Sequence, residues 1–91
     1  MNLWDIRSIS EYLSGDLVGD PTLVPLGISI NSKEIKEKDC FIAIRGKRDG
    51  HEFIQDALQR GASCVIVDHF IECQVPQIIV NDTTQALQIW G

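Results

Sequence analysis

Six of the eight basic residues in this chain fall between positions 33 and 48: Lys33, Lys36, Lys38, Arg45, Lys47 and Arg48. Three acids share that window, giving it a net charge of +3. Outside it only Arg7 and Arg60 offset ten acids, which leaves the rest at -8. A local cationic segment on an acidic body selects a small anion without recruiting nucleic acid. The run Arg45-Gly46-Lys47-Arg48-Asp49-Gly50-His51 follows an apolar stretch of strand length and precedes a helical pattern. In open α/β sheets, ligands bind in the crevice beyond the carboxyl ends of the strands. Gly46 and Gly50 let the backbone approach a phosphate closely, and the start of the following helix offers N–H groups. The same residues also fit a solvated charged loop, and His51 fits a helix cap or a core hydrogen bond as well as a ligand contact.

Other chemistries find no constellation. A phosphate loop needs G-x-x-x-x-G-K-S/T, but Gly46-Lys47 is followed by Arg48, and Phe41 stands where the first glycine belongs. Neither G-x-G-x-x-G nor H-E-x-x-H occurs. Ser32, His51 and Cys64 do not assemble into a nucleophile with a positioned base. Cys40, Cys64 and Cys73 are odd in number and widely spaced, with only His51 and His69 to join them. Zinc sites use closely spaced ligand pairs, so no metal ligand is assigned; Cys40 and Cys64 read as small core residues. No catalytic residue is assigned either.

The elements that must position the basic segment follow from hydrophobic period. Ser8-Ile9-Ser10-Glu11 reads as a capping box, with Ile9, Tyr12 and Leu13 on an apolar face and Gly15 as the left-handed stop. Leu17-Val18 reads as a short strand, and Leu26, Ile28 and Ile30 alternate as a strand does. Cys40–Ile44 is a continuous apolar run, as expected of a strand covered on both faces. A helix follows from Glu52, with Phe53, Ile54, Ala57 and Leu58 inward and Gly61 at its end. Residues 64–67 and 77–80 read as two further strands. Asp82 caps a last helix with Gln85 at its third position and Ala86, Leu87 and Trp90 inward. Alternating strands and helices predict an α/β fold, a three-layer sandwich with a mixed or mostly parallel sheet.

Length and composition bound the rest. The 91 residues are 44% hydrophobic and 23% charged, which suits one small globular domain. No apolar stretch reaches the roughly 18 residues of a membrane span. Met1-Asn2-Leu3-Trp4-Asp5 has no signal-peptide character, and with the cysteine usage this predicts a cytoplasmic protein with no nucleic-acid or membrane partner. The final helix reaches only about two turns, short of the roughly 12–15 residues of an autonomous helix, and predicts that the chain is a piece of something longer.

Five segments in order resemble the N-terminal domain of the Mur ligase family. They are Ile28-Ser29-Ile30-Asn31-Ser32-Lys33, the run from Lys38 to Gly46, Asp49-Gly50-His51-Glu52-Phe53-Ile54, Ala57 to Ala62, and Val80 to Leu87. The family reads there roughly D-S-R, G-D-L/C-F-V/I-A-L/I-x-G, D-G-H-x-F-I/V, A-x-x-x-G-A and V-x-D-T-x-x-A-L. The resemblance implies the first domain of a three-domain, ATP-dependent peptide ligase of peptidoglycan synthesis. In such enzymes this domain holds the UDP end of UDP-N-acetylmuramoyl-tripeptide and docks on its own central domain, which binds ATP and Mg2+. D-alanyl-D-alanine enters through the other domains. The implied UDP-binding residues are Asn31, Ser32, Lys33, Arg45, Gly46, Lys47, Arg48, Asp49, Gly50 and His51, and the domain alone is expected to be inactive.

Two members share this domain, one adding the third amino acid (diaminopimelate or lysine) and one adding D-alanyl-D-alanine. The segments at His51 and Asp82-Thr83 look more like the latter. Asn31 and Lys33 depart from the family's Asp and Arg, and a lysine cannot form the bidentate fork of an arginine. Lys38 stands in place of a glycine, and the turn from Gly46 to Asp49 is one residue shorter than in the family. The alternative from another class is a non-catalytic interaction module that docks through Leu87 and Trp90.

Overall fold

Alternation along the buried strands divides the core in two. The computed structural model describes residues 5–45 and 49–90. Its strands are β1 (Asp16–Val18), β2 (Gly27–Ser29), β3 (Asp39–Ile42), β4 (Cys64–Val67) and β5 (Gln77–Ile79). Its helices are α1 (Ile6–Tyr12), α2 (Ile54–Gln59) and α3 (Thr83–Trp90). The sheet runs β1-β5-β4-β3-β2, with β2 to β5 parallel and β1 antiparallel to β5. Cys40, Ile42, Cys64, Ile66 and Ile78 face Ile6, Ile9 and Leu13 from the α1 segment and Ala86 of α3. Phe41, Val65 and Val67 face Ile54 and Ala57 of α2. This is the three-layer α/β sandwich that the sequence predicts. Each fully buried Ile or Val here contributes about 1.5–3 kcal/mol, which is why β4, buried along its whole length, sits at the centre.

Local chemistry shifts some boundaries. Helix α1 begins one turn before the predicted capping box: Asp5 is the N-cap, and its Oδ1 accepts the Ser8 N–H at 2.8 Å. Starting there buries Ile6 beside Ile9, and Glu11 turns outward to Arg7 at 3.5 Å. Tyr12, read as inward, is half exposed. The left-handed residue after α1 is Ser14, with φ +56°, and not Gly15. Gly15 is needed for space instead, because a Cβ there would stand 2.6 Å from Ile78 Cγ2. Lys38 is left-handed, with φ +71°. The turn before β3 thus keeps the glycine-like conformation although lysine occupies it.

Strand β2 forms the open edge of the sheet. Leu26, Ile28 and Ile30 alternate as read, yet all three are exposed. Ile28 pairs in register with Cys40 and so points to the α1/α3 face, where neither helix reaches over this edge. Gly61 ends α2 with φ +106°, as expected. Asp82 caps α3 through the N–H groups of Thr84 and Gln85. Ala86 is buried and Leu87 packs against the same core, while the side chain of Trp90 lies outside the described residues. Among the described residues, no helix lies between β4 and β5. Gln77 holds that connection, donating to Ile71 O at 2.6 Å and accepting from Ile71 N at 2.8 Å.

Candidate functional site at the carboxyl edge of the sheet

Because β2, β3 and β4 are parallel, their carboxyl ends share one edge of the sheet. The segments that follow them carry Asn31–Lys33 after β2, Arg45 and Asp49–His51 after β3, and Asp68 with His69 after β4. Both predicted groups thus follow strands whose carboxyl ends share one edge, the edge at which α/β sheets bind ligands. Gly46, Lys47 and Arg48 lie outside the described residues.

The first turn is built locally. Asn31 Oδ1 accepts the Lys33 N–H at 3.0 Å and caps a 3-10 turn over Ser32–Glu34. Ser29 Oγ accepts the Asn31 N–H at 3.1 Å and steadies the entry. Ser32 is buried, and its hydroxyl hydrogen-bonds the Asp56 carboxylate of α2, holding that carboxyl below its ordinary range. Arg60 and Lys33 add to the same shift. Lys33 itself is exposed.

The second turn has the same local cap and a denser base. Asp49 Oδ1 accepts the His51 N–H at 3.0 Å and caps a 3-10 turn over Gly50–Phe53. Arg45 and Asp49 face each other in an isolated antiparallel bridge, and the Gly50 N–H donates to Ile44 O at 2.8 Å. A Cβ on Gly50 would stand 2.7 Å from both Ile44 N and Ile44 O, so only glycine fits. The Arg45 guanidinium binds both oxygens of Asp68 and lies 3.3 Å from Asp49. The backbone N–H of Asp68 donates to His51 Nε2 at 3.2 Å, and the His51 side chain is 6% exposed.

Electrostatics follow from that wiring. Arg45, with further help from His69 and His51, holds the Asp68 carboxyl well below the carboxylate range, against the opposing cost of burial. Asp49 is lowered in the same direction, first by the two hydrogen bonds from His51 and then by Arg45. Of the residues read as ligand contacts, Arg45, Asp49 and His51 thus spend their polar groups on the base of the turn. Asp68 was not singled out in the sequence, although an acid directly after the apolar run 64–67 is itself the signal of a strand's carboxyl end.

His51, Asp68 and His69 bring ligand-type atoms within 4.8 Å of one another, with the two rings stacked at 4.6 Å. Their hydrogen bonds account for this arrangement, and the Arg45 guanidinium already neutralises the carboxylate a cation would use. No G-K-S/T segment occurs in the sequence. Among the described residues, no helix is long and apolar enough to cross a membrane.

The family profile described as "Mur ligase family, catalytic domain" matches residues 26–90. The chain belongs to the Mur ligase family. A UDP-N-acetylmuramoyl-tripeptide--D-alanyl-D-alanine ligase of Rickettsia prowazekii is 46% identical over 88 residues, 94% of this chain and 19% of that protein. A UDP-N-acetylmuramoyl-L-alanyl-D-glutamate--2,6-diaminopimelate ligase of Aquifex aeolicus is 52% identical over 62 residues, 67% of this chain and 13% of that protein. The crystal structure of MurF from Acinetobacter baumannii superposes with a TM-score of 0.88 at 24% identity, covering 98% of this chain and 20% of that one. The chain has the Mur ligase N-terminal domain fold of MurF structures, and it spans less than a fifth of either relative's length.

Proposed function

We propose that this chain is the UDP-binding N-terminal domain of the cytoplasmic ligase that adds D-alanyl-D-alanine to UDP-N-acetylmuramoyl-tripeptide. The observation that supports the reading is the shared carboxyl edge of parallel β2 and β3, which the Asn31–Lys33 turn and the Asp49–His51 turn follow, in a chain whose basic charge is concentrated between residues 33 and 48. A diphosphate needs cationic partners, and the basic residues between 33 and 48 are of that kind. The choice of step is supported by 46% identity to a D-alanyl-D-alanine ligase along 94% of the chain. Docking on a central domain, and ATP and Mg2+ bound there, belong to the longer protein in this reading.

The test is an NMR titration of the 91-residue chain with UDP-N-acetylmuramoyl-tripeptide. Shifts at residues 29–33 and 45–52 are expected, and silence there at millimolar ligand overturns the reading. In the parent protein, D-alanyl-D-alanine is the expected amine, and turnover with diaminopimelate instead would reassign the step to the second reading. The 91-residue chain by itself is expected to show no ATPase or ligase turnover.

A further inference from the structure

The exposed apolar residues along β2 form a short stripe at a free sheet edge. Leu26, Ile28 and Ile30 are 71%, 37% and 52% exposed, and strand alternation puts all three side chains on one face. Among the described residues β2 pairs with β3 alone, so alternate backbone N–H and C=O groups along it face away from the sheet. An edge of that kind is a template for a further strand. The stripe is nearly symmetric about Ile28, with Leu26 and Ile30 two residues to either side and Gly27 and Ser29 between. An antiparallel strand of the same sequence, centred on Ile28, sets Leu26 against Ile30 and Ile28 against itself on one face. Gly27 meets Ser29 on the other face, two small residues that leave the approach open.

Charge selects the same arrangement. The N–H of Lys36 donates to Asp39 Oδ2 at 3.0 Å, and Asp39 pairs with Gly27, which places Lys36 near the Gly27 end of β2. The N–H of Glu34 donates to Asn31 O at 3.0 Å, and the N–H of Asn31 to Ser29 Oγ at 3.1 Å, which places Glu34 near the Ser29 end. Both residues are exposed and line the groove that runs along Leu26, Gly27, Ile28 and Ser29. A two-fold axis through Ile28 exchanges the ends, so Glu34 of each copy faces Lys36 of the other. We propose that β2 is a self-complementary edge on which a second copy of this chain docks, joining two five-stranded sheets into one. The contact uses the same patch on both copies and closes at a dimer. It stands apart from the anion reading of the neighbouring turns. Three apolar side chains and one short strand fall short of the roughly 1,200 Å2 of a stable interface, so a dissociation constant of about 0.1–1 mM is expected.

The experiment follows translational diffusion of the 91-residue chain by NMR from about 0.05 to 2 mM, a range that brackets the expected constant. A reversible passage from monomer to dimer is expected. Ile28→Lys sets two lysines against each other on the axis and is expected to weaken association at least about tenfold. Glu34→Lys and Lys36→Glu each make both charge contacts repulsive, and each is expected to weaken association about threefold. Mixing those two variants restores opposite charges in the mixed dimer, so the mixture is expected to associate more tightly than either variant alone. That recovery separates a second copy from any other occupant, and it carries the test if Ile28→Lys does not fold. A chain that stays monomeric at the highest concentration overturns the proposal. So does association that Ile28→Lys leaves unchanged in a folded variant, or a mixture that shows no recovery. Protection of the β2 amides from exchange only in a longer, monomeric form of the protein assigns the edge to that protein's other domains, and also overturns it. Failure of UDP to bind bears on the anion reading and leaves each of these outcomes as it is.

Discussion

The turns that follow β2 and β3 share one local device and differ in what ties them to the rest of the fold. In each, an Asn or Asp in extended conformation accepts the N–H two residues on and opens a 3-10 turn: Asn31 with Lys33, Asp49 with His51. The first turn is joined to the body through the Ser32 hydroxyl and Asp56. The second is joined through a bridge, a glycine contact with no spare volume, a bidentate guanidinium and a buried imidazole. Capping chemistry therefore decides the shape of a turn, and long-range polar ties decide how firmly that shape is held. In the sequence, Lys47 and Arg48 lie between Arg45 and Asp49.

The comparison breaks most severely at Gly50. Gly50→Ala pushes a methyl into the backbone of Ile44, which has no flexible end to yield. A cost of about 3 kcal/mol is expected in urea unfolding, at the upper end for overpacking. A change below 0.5 kcal/mol would mean that the base of the second turn is loose. Asp68→Asn comes next, at about 1–2 kcal/mol near pH 7, because it removes the bidentate partner of the half-exposed Arg45 and leaves it only Asp49. The sign with pH is defined. The Asp68 carboxyl titrates lower in the folded than in the unfolded chain, so its contribution is complete above the ordinary carboxylate range and fades as pH falls below about 4. The variant should therefore show a flatter stability curve on the acid side, with a residual slope from Asp49 and Asp56, which are shifted in the same direction.

The same contrast separates what could be read in the sequence from what could not. Local signals were legible: the apolar run 64–67 as a buried strand, Asp82 as a cap, Gly61 as a left-handed stop, and the two turns as neighbours of strand ends. Pairings over distance were not. Nothing in the order of residues joins Arg45 to Asp68 or His51 to the Asp68 N–H, because a parallel sheet brings them together only after α2 has crossed over. The sequence therefore gives no sign that Arg45 and His51 also bind Asp49 and Asp68. The clear period-2 pattern of Leu26, Ile28 and Ile30 identifies a strand without telling its burial, and all three are exposed. Alternation reports a strand, but which strand a helix layer covers is a property of the whole sheet.

The smallest expected effect falls on the first turn and sharpens the comparison from the other side. Ser32→Ala removes the one hydroxyl that ties this turn to α2. It should cost about 1 kcal/mol, the worth of a single hydrogen bond, and not the larger loss expected at Gly50. Its signature is in titration. The Ser32 hydroxyl is the largest influence holding the Asp56 carboxyl low, so in the variant that carboxyl should titrate closer to its ordinary value, with Arg60 and Lys33 still holding it partly down. Carboxyl chemical shifts of Asp56 against pH measure this directly. If Ser32→Ala instead destabilises as strongly as Gly50→Ala, the first turn is anchored as firmly as the second. The distinction between a turn shaped locally and a turn held from afar would then not apply to this edge.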